Sequence, residues 1–253
     1  MTTLKYRSLL SPAMLLAGLA IALCLCPTTF ADETAASSGS DAEGFVSLFD
    51  GESIDGWIKR GGEARYRVEE GAIVGTSVMD TPNTFLCTPR EYGDFILEVE
   101  LKVDDQLNSG IQIRSLHYDE PVVAEGEYPD GRPFEREVPA GVVHGYQVEI
   151  DPSSRAYSGG IYDEARRGWL DDLSGDENQA ARDAFRNGEW NHYRIEARGP
   201  SIKTFVNRVP AANLTDDMTA SGFIGLQVHS IGSDENLANR EVRWRNLRIK
   251  ELD

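Results

Sequence analysis

The sequence predicts an all-β chain folded as an antiparallel sandwich or jelly roll, with one short helix. Three observations lead there. Apolar and polar residues alternate with a period of two through most of the chain beyond Phe45. Gly, Asn and Asp separate the alternating runs. Helix-start signals gather at one segment only. Such alternation builds sheets with one face in a core and the other turned away from it.

Residues 1–31 read as an export leader. Lys5 and Arg7 give the positive start, Leu9 to Leu25 is largely apolar, and Thr29-Phe30-Ala31 is a small-x-small cleavage site before Asp32. Pro12 interrupts the apolar run, which favours cleavage over a membrane anchor. Cys24 and Cys26 each follow a leucine rather than a small residue, which argues against a lipidated cysteine. Residues 32–43, rich in Ala, Ser, Gly, Thr, Asp and Glu, read as a flexible linker. One domain then fills 44–253.

Cleavage removes two of the three cysteines, so Cys87 is left without an internal disulfide partner. Its strand-like setting, Thr84-Phe85-Leu86-Cys87-Thr88, marks a buried structural thiol. The whole chain carries a formal charge of −17. Without the leader's Lys5 and Arg7, 23 basic residues face 42 acidic ones, or −19. That disfavours nucleic acid and anionic lipid as partners and is compatible with neutral sugars.

The elements follow in order. Tyr66 to Glu69, the Glu70-Gly71 turn and Ala72 to Gly75 form a hairpin signature. Phe95 to Val103 is the clearest strand. Ile111 to Arg114, Val142 to Ile150, Trp190 to Ala197, Ile202 to Val206, Phe223 to His229 and Val242 to Lys250 are the others. Ser174 and Glu177 have capping-box spacing ahead of Ala180, Ala181, Ala184 and Phe185, which predicts a helix over about 176–187. His117 to Gly141, with four prolines, reads as a long polar loop, either one wall of a site or a solvated insertion. Trp57, Trp169, Trp190 and Trp244 are candidates for stacking on sugars, although Trp190 and Trp244 lie in alternating strands and read as core.

Three strands carry unusual polar edges. Successive side chains in a strand point to opposite faces. Gln112 and Arg114 therefore share a face; so do Gln147, Glu149 and Asp151, and so do Gln227 and His229. These are planar groups that pair with hydroxyls or move protons. If the strands are neighbours, a carboxylate, a guanidinium and an imidazole meet on one patch. The plainer alternative is an ordinary polar outer face with a Glu149–Arg114 cross-strand ion pair. His117, His144 and His192 are scattered without ligand spacing.

The same residues resemble a known family. Phe45-Val46-Ser47-Leu48-Phe49-Asp50-Gly51 with Ile54-Asp55-Gly56-Trp57, Asn108 to Arg114 ("NSG-x-x-x-R"), Tyr146 to Ile150 ("Y-Q-x-E-I"), Ser158 to Tyr162, Gly188-Glu189-Trp190-Asn191 with Phe205-Val206-Asn207, and Gly225 to His229 are similar, in that order, to the 3-keto-disaccharide hydrolase family. One departure is Arg208, where the family pattern has Gly after Asn207. The resemblance implies a concanavalin A/laminin-G-like sandwich and cleavage of glycosides already oxidised at C3.

In such chemistry a base removes the acidified C2 hydrogen, an enolate forms, the glycosidic oxygen leaves C1 by β-elimination, and water adds back. Glu149, His229 and Arg114 are the candidate catalytic groups. His229 or Glu149 serves as base and Arg114 steadies the enolate. Gln112, Gln147 and Gln227 are candidates for ring hydroxyls, Asp151 for substrate binding, and Tyr162 for the pocket lining. Glu149 and Asp151, two strand steps apart, are also spaced for the carboxylate pair of an ordinary glycosidase. A divalent metal on Glu149, Asp151 or His229 suits a mixed N/O donor set, though the spacing does not demand one. The alternatives are a noncatalytic carbohydrate-binding module and a structural or adhesion domain of the cell envelope. The expected location is periplasmic or extracellular, with no membrane attachment after leader cleavage.

Overall fold

The computed structural model describes residues 5–8 and 43–253. The leader's apolar run, its cleavage site and nearly all of the linker lie outside the described residues. In chain order the strands are β1 Lys5–Ser8, β2 Val46–Ser47, β3 Ile58–Gly61, β4 Arg65–Glu69, β5 Ala72–Thr76, β6 Thr84–Cys87, β7 Phe95–Val103, β8 Ser109–Leu116 and β9 Val122–Glu127. Then come β10 Pro133–Val138, β11 His144–Ile150, β12 Ile161–Glu164, β13 Gly168–Asp171, β14 Asn191–Arg198, β15 Ser201–Val206, β16 Val209–Thr215, β17 Phe223–Val228 and β18 Glu241–Glu251.

Two large antiparallel sheets pack face to face, as a concanavalin-like jelly roll. One has the order β13-β12-β11-β8-β17-β6-β3, the other β16-β15-β14-β7-β18-β5-β4, with β2 pairing β18. The alternation read from sequence decides what lies between them. Ile111 and Ile113 of β8, Tyr146, Val148 and Ile150 of β11 and Leu226 of β17 face Leu97, Leu101, Tyr193 and Trp244 of the opposing sheet in one buried core.

A third, small sheet, β1-β9-β10, replaces the long polar loop expected over 117–141. Its prolines sit at the ends of the hairpin, where no ladder bond is lost, so Val122, Val123, Ala124, Phe134 and Val138 are free to bury. A buried ion cluster fastens this hairpin to the sandwich. Asp163 accepts from Arg166 and Arg167 at 2.6 Å each, Arg167 also grips Asp216, and Arg167 and Arg136 bond the backbone oxygens of Glu127 and Arg166.

The helix is shorter than expected. A 3-10 turn at Asp176–Asn178 leads into α1, Gln179–Arg182. The capping box does not form, because the chain enters through Gly175 with no side-chain cap, while the Ser174 amide is taken by Asp172. Trp244 is core as expected. Trp190 is only half-buried, with the Arg245 guanidinium 4.0 Å above its ring. Cys87 is buried and free, and burial pushes its thiol up to about 12. Among the described residues no helix is long and apolar enough to cross a membrane.

Two hairpins test the turn chemistry. Glu70 and Gly71 both have positive φ, as a two-residue turn between β4 and β5 requires. Asn207 and Arg208 do the same between β15 and β16, with φ of 50° and 72°. Arg208 thus sits where glycine is favoured, and a non-glycine residue there carries strain. Arg208→Gly is expected to raise unfolding stability by about 0.5–1 kcal/mol in urea titration, strain relief exceeding the added unfolded-state entropy. A loss of stability would show that the arginine side chain, not the backbone, dominates at that turn.

Candidate functional site

The three strands with polar edges are neighbours. In β11-β8-β17, Gln147 lies opposite Gln112, Gln112 opposite Gly225, and Gln227 opposite Gly110. Their polar edges meet on the outer face of the seven-stranded sheet, yet this is not a wet face. Gln112 and Gln227 are 0% exposed and Glu149 is 4% exposed.

Hydrogen bonds there run in one direction. Ser115 donates to Gln112 Oε1 at 2.7 Å, Gln112 Nε2 to Gln147 Oε1 at 2.7 Å, and Gln147 Nε2 to Glu149 Oε2 at 3.0 Å. Asn108 Nδ2 donates to Glu149 Oε1 at 2.7 Å. An ionised carboxylate only accepts, so it fixes the orientation of both amides down the chain. Gly110 makes room for this. A Cβ there would lie 2.4 Å from Gln147 Cδ, so a side chain at this position would push Gln147 away from Glu149.

A hollow of about 280 Å³ opens beside Glu149, lined by Asn83, Asn108, Gln147, Arg155, Tyr162, Glu164, Trp169 and His229. β11 supplies Gln147 and Glu149, β12 supplies Tyr162 and Glu164, β13 supplies Trp169, and the segments flanking β6 and β17 supply Asn83 and His229. A larger hollow of about 470 Å³ on the opposite sheet includes Glu98, but that carboxylate is closed by Arg194 and Arg248 at 2.7 Å each.

The titratable groups are well separated in character. Burial raises the Glu149 carboxyl, partly offset by its bonds from Asn108 and Gln147. Burial raises Glu164 to about 7, against the bond from Asn83 and helped by the charge of Glu149. His229 is held below its usual range by burial, and the Arg155 charge adds to the effect despite the bond to the Ser230 carbonyl. That carbonyl, 2.6 Å from Nδ1, fixes Nδ1 as the protonated nitrogen and makes Nε2 the basic one. Burial also keeps the Tyr162 phenol protonated.

Of the expected site residues, Glu149, His229, Gln147 and Tyr162 line the hollow. Gln112 stands one bond behind Gln147. Gln227 is on the same face, with neither side-chain polar atom partnered among the described residues. Asp151 does not line the hollow. Its carboxylate accepts from the Ser153 and Tyr157 amides and from Arg155 Nε at 2.8 Å, so it anchors the loop that carries Arg155. Burial works against its charge, but these bonds outweigh it and hold the carboxyl below the usual range. The Glu149–Asp151 pair is therefore bridged by Arg155 rather than facing a shared substrate.

Arg114 is a correction. Its φ is 45°, and the ladders on both sides of β8 slip there, between His144 and Tyr146 and between Phe223 and Gly225. That bulge breaks the pleat, so alternation fails at Arg114. Its guanidinium, 1% exposed, bonds the Gly93 and Gly199 carbonyls and Asp94 at 2.8 Å each, away from the hollow. Arg155 supplies the cation instead, with its guanidinium 5.1 Å from the Tyr157 ring centre and 5.2 Å from that of Trp169. Arg155, Glu164 and Asn83 were missed from sequence. Glu164 was within reach, since it lies two residues beyond Tyr162 on a strand; Arg155 lies on a loop with no pattern.

Among the described residues no group of three or more His, Cys, Asp or Glu side chains could hold a metal. The donor set itself does not fit a divalent ion. Glu149 faces amide N–H donors and Asp151 faces a guanidinium, so no step below passes through a metal.

Residues 44–250 match the model of the 3-keto-alpha-glucoside-1,2-lyase-like domain, and the chain belongs to that family. It is accordingly a carbohydrate-active protein. No curated protein matches it. A candidate glycosyl hydrolase from Parabacteroides distasonis shares the fold at 20% identity, with a TM-score of 0.52 over 84% of this chain and 95% of that one. A second from the same organism is 19% identical, with a TM-score of 0.46 over 82% and 99% of the two chains. The carbohydrate-binding module CBM66 from Bacillus subtilis is 13% identical, with a TM-score of 0.43 over 78% and 96%.

One prediction concerns Glu164. A carboxyl raised in the folded state binds its proton there more tightly than in the unfolded chain. Its contribution to stability is therefore greatest below the unfolded value and is lost as pH rises toward about 7. Urea midpoints measured between pH 4.5 and 7.5 should fall more steeply in the native protein than in Glu164→Gln. Identical slopes would mean that Glu164 titrates normally.

Proposed function

We propose that this protein cleaves 3-keto-glycosides by removing the C2 hydrogen and expelling the C1 oxygen. The observation that carries the reading is the set of groups in one small hollow: a neutral imidazole with a basic Nε2, a carboxyl that still holds its proton near neutral pH, and a guanidinium. At about 280 Å³ the hollow lies just below the ~300–1,000 Å³ typical of small-molecule sites, which suits a single sugar ring.

His229 Nε2 takes the C2 proton, and the C2–H electrons form the enolate across C2 and C3. Arg155 steadies the negative oxygen on C3. The enolate collapses, C1=C2 forms, and the C1–O bond breaks. Glu164 gives its proton to the departing oxygen. Water then adds across C1=C2, returning hydrogen to C2 and hydroxyl to C1. Glu149, with both oxygens already accepting, is better placed to orient ring hydroxyls beside Asn108 than to act as base. Trp169 offers an aromatic wall for the ring.

Purified protein incubated with a 3-keto-glucoside and with the unoxidised glucoside should release the aglycone from the first only. His229→Asn and Glu164→Gln should each lower that rate by roughly 10²–10⁴-fold. Equal release from both substrates points to an ordinary glycosidase. Binding without release from either points to a carbohydrate-binding module.

Export belongs to the same proposal, on the leader read at residues 1–31; cleavage there removes β1 and leaves β9 and β10 as a two-stranded hairpin. The intact mass of protein recovered from outside the cytoplasm is expected to correspond to a chain beginning at Asp32. A mass that includes the leader would contradict cleavage at Ala31.

A further inference from the structure

The sheet that carries the hollow continues beyond the groups used above. Glu149 lies opposite Gly110, Gly110 opposite Gln227, Gln227 opposite Phe85, and Phe85 opposite Arg60. Residues in direct register share a face, so these five form one transverse row on the outer side of the seven-stranded sheet. Asn83, which lines the hollow, accepts from the Gly62 amide, two residues beyond Arg60.

This end of the row is unsatisfied. Gln227 is fully buried and neither its Nε2 nor its Oε1 has a partner among the described residues. The buried Nε of Arg60 has none either. Arg60 makes no ion pair with a carboxylate among the described residues, unlike Arg114, Arg155, Arg166 and Arg167. Its Nη1 lies 2.7 Å from His117 Nδ1. A guanidinium only donates, so His117 accepts there and is neutral; burial and the Arg60 charge both hold its imidazolium low. In a chain of net charge −17, Arg60 is thus a half-buried cation with no anionic partner among the described residues.

The surroundings are apolar. Phe85, Cys87, Val143 and Phe223 form a small buried cluster separate from the main core, and the Arg60 guanidinium lies 5.6 Å from the Phe223 ring centre. Ile58, two residues before Arg60 on the same face, is one of two exposed large hydrophobics among the described residues. A guanidinium on an aromatic ring beside apolar side chains is a common setting for a planar carboxylate carried on an apolar or sugar frame.

We infer that Arg60 forms a second subsite, beside the hollow, that takes a carboxylate-bearing leaving group. The site is then selective for acidic 3-keto-glycosides, with Arg60 meeting the carboxylate. This rests on the cleavage proposed above and adds the class of aglycone.

The test compares the 3-keto-glucosides of 4-hydroxybenzoate and 4-hydroxybenzamide, in both anomers, which differ in the charge of one planar group. The native protein should favour the benzoate in kcat/KM by tenfold or more, the scale of one charge-assisted hydrogen bond. Arg60→Met should bring the ratio near one, and Arg60→Lys should retain part of the preference. A native ratio near one while both are cleaved overturns the subsite and leaves the cleavage reading intact. Should neither be cleaved, the cleavage reading fails, and free 4-hydroxybenzoate decides the subsite by NMR. A shift of an Arg Nε–Hε signal that is missing in Arg60→Met supports it; no shift overturns it.

Discussion

A carboxylate taken out of water organises this site. Glu149 is buried on the outer face of a sheet, where an unpaired charge would be severely penalised. Its answer is a frame of donors: Asn108 on one oxygen, Gln147 on the other, and Gln112 and Ser115 behind Gln147. Each donor is held in place by the next, so the amides cannot turn without leaving the charge exposed to an acceptor. The absence of a side chain at Gly110 makes the frame possible. The same charge reaches Glu164 and helps keep its proton on near neutral pH.

The fold positions these groups by ordinary sheet packing. Tyr146, Val148 and Ile150 anchor β11 in the core, which turns Gln147 and Glu149 to the other side. The buried cluster of Asp163, Arg166, Arg167 and Asp216 holds β12 and the small third sheet to the sandwich. Glu164 and Tyr162 flank Asp163 on β12, so one strand carries a structural charge inward and two functional groups outward.

Much of this was legible from alternation alone. The pattern identified β8, β11 and β17 as strands with polar edges, and register made them neighbours. It failed where the backbone left the pleat. Arg114 sits on a bulge with positive φ, a feature no side-chain pattern reveals, and its guanidinium went to backbone carbonyls at the end of the opposing sheet. Arg155 escaped because a loop has no period; its bonds to Asp151 and Glu149 and its contacts with Tyr157 and Trp169 bring it over the hollow. The stretch 117–141 looked like a loop because its strands are short and flanked by proline. The helix expected over 176–187 is α-helical only at Gln179–Arg182: its start is a 3-10 turn entered through Gly175, and beyond it the Ala184 oxygen and the Arg186 amide bond to Asn207 and Asn191 instead.

The central claim is that the hollow acts on the hydrogen at C2, and the fate of that hydrogen tests it most directly. Run in D2O and quenched early, with authentic 3-keto-glucose as a control for background exchange, the reaction should give a sugar bearing deuterium at C2, or an unsaturated product with no hydrogen there. A product that keeps its original C2 hydrogen, released at the same rate as the aglycone, would contradict the account.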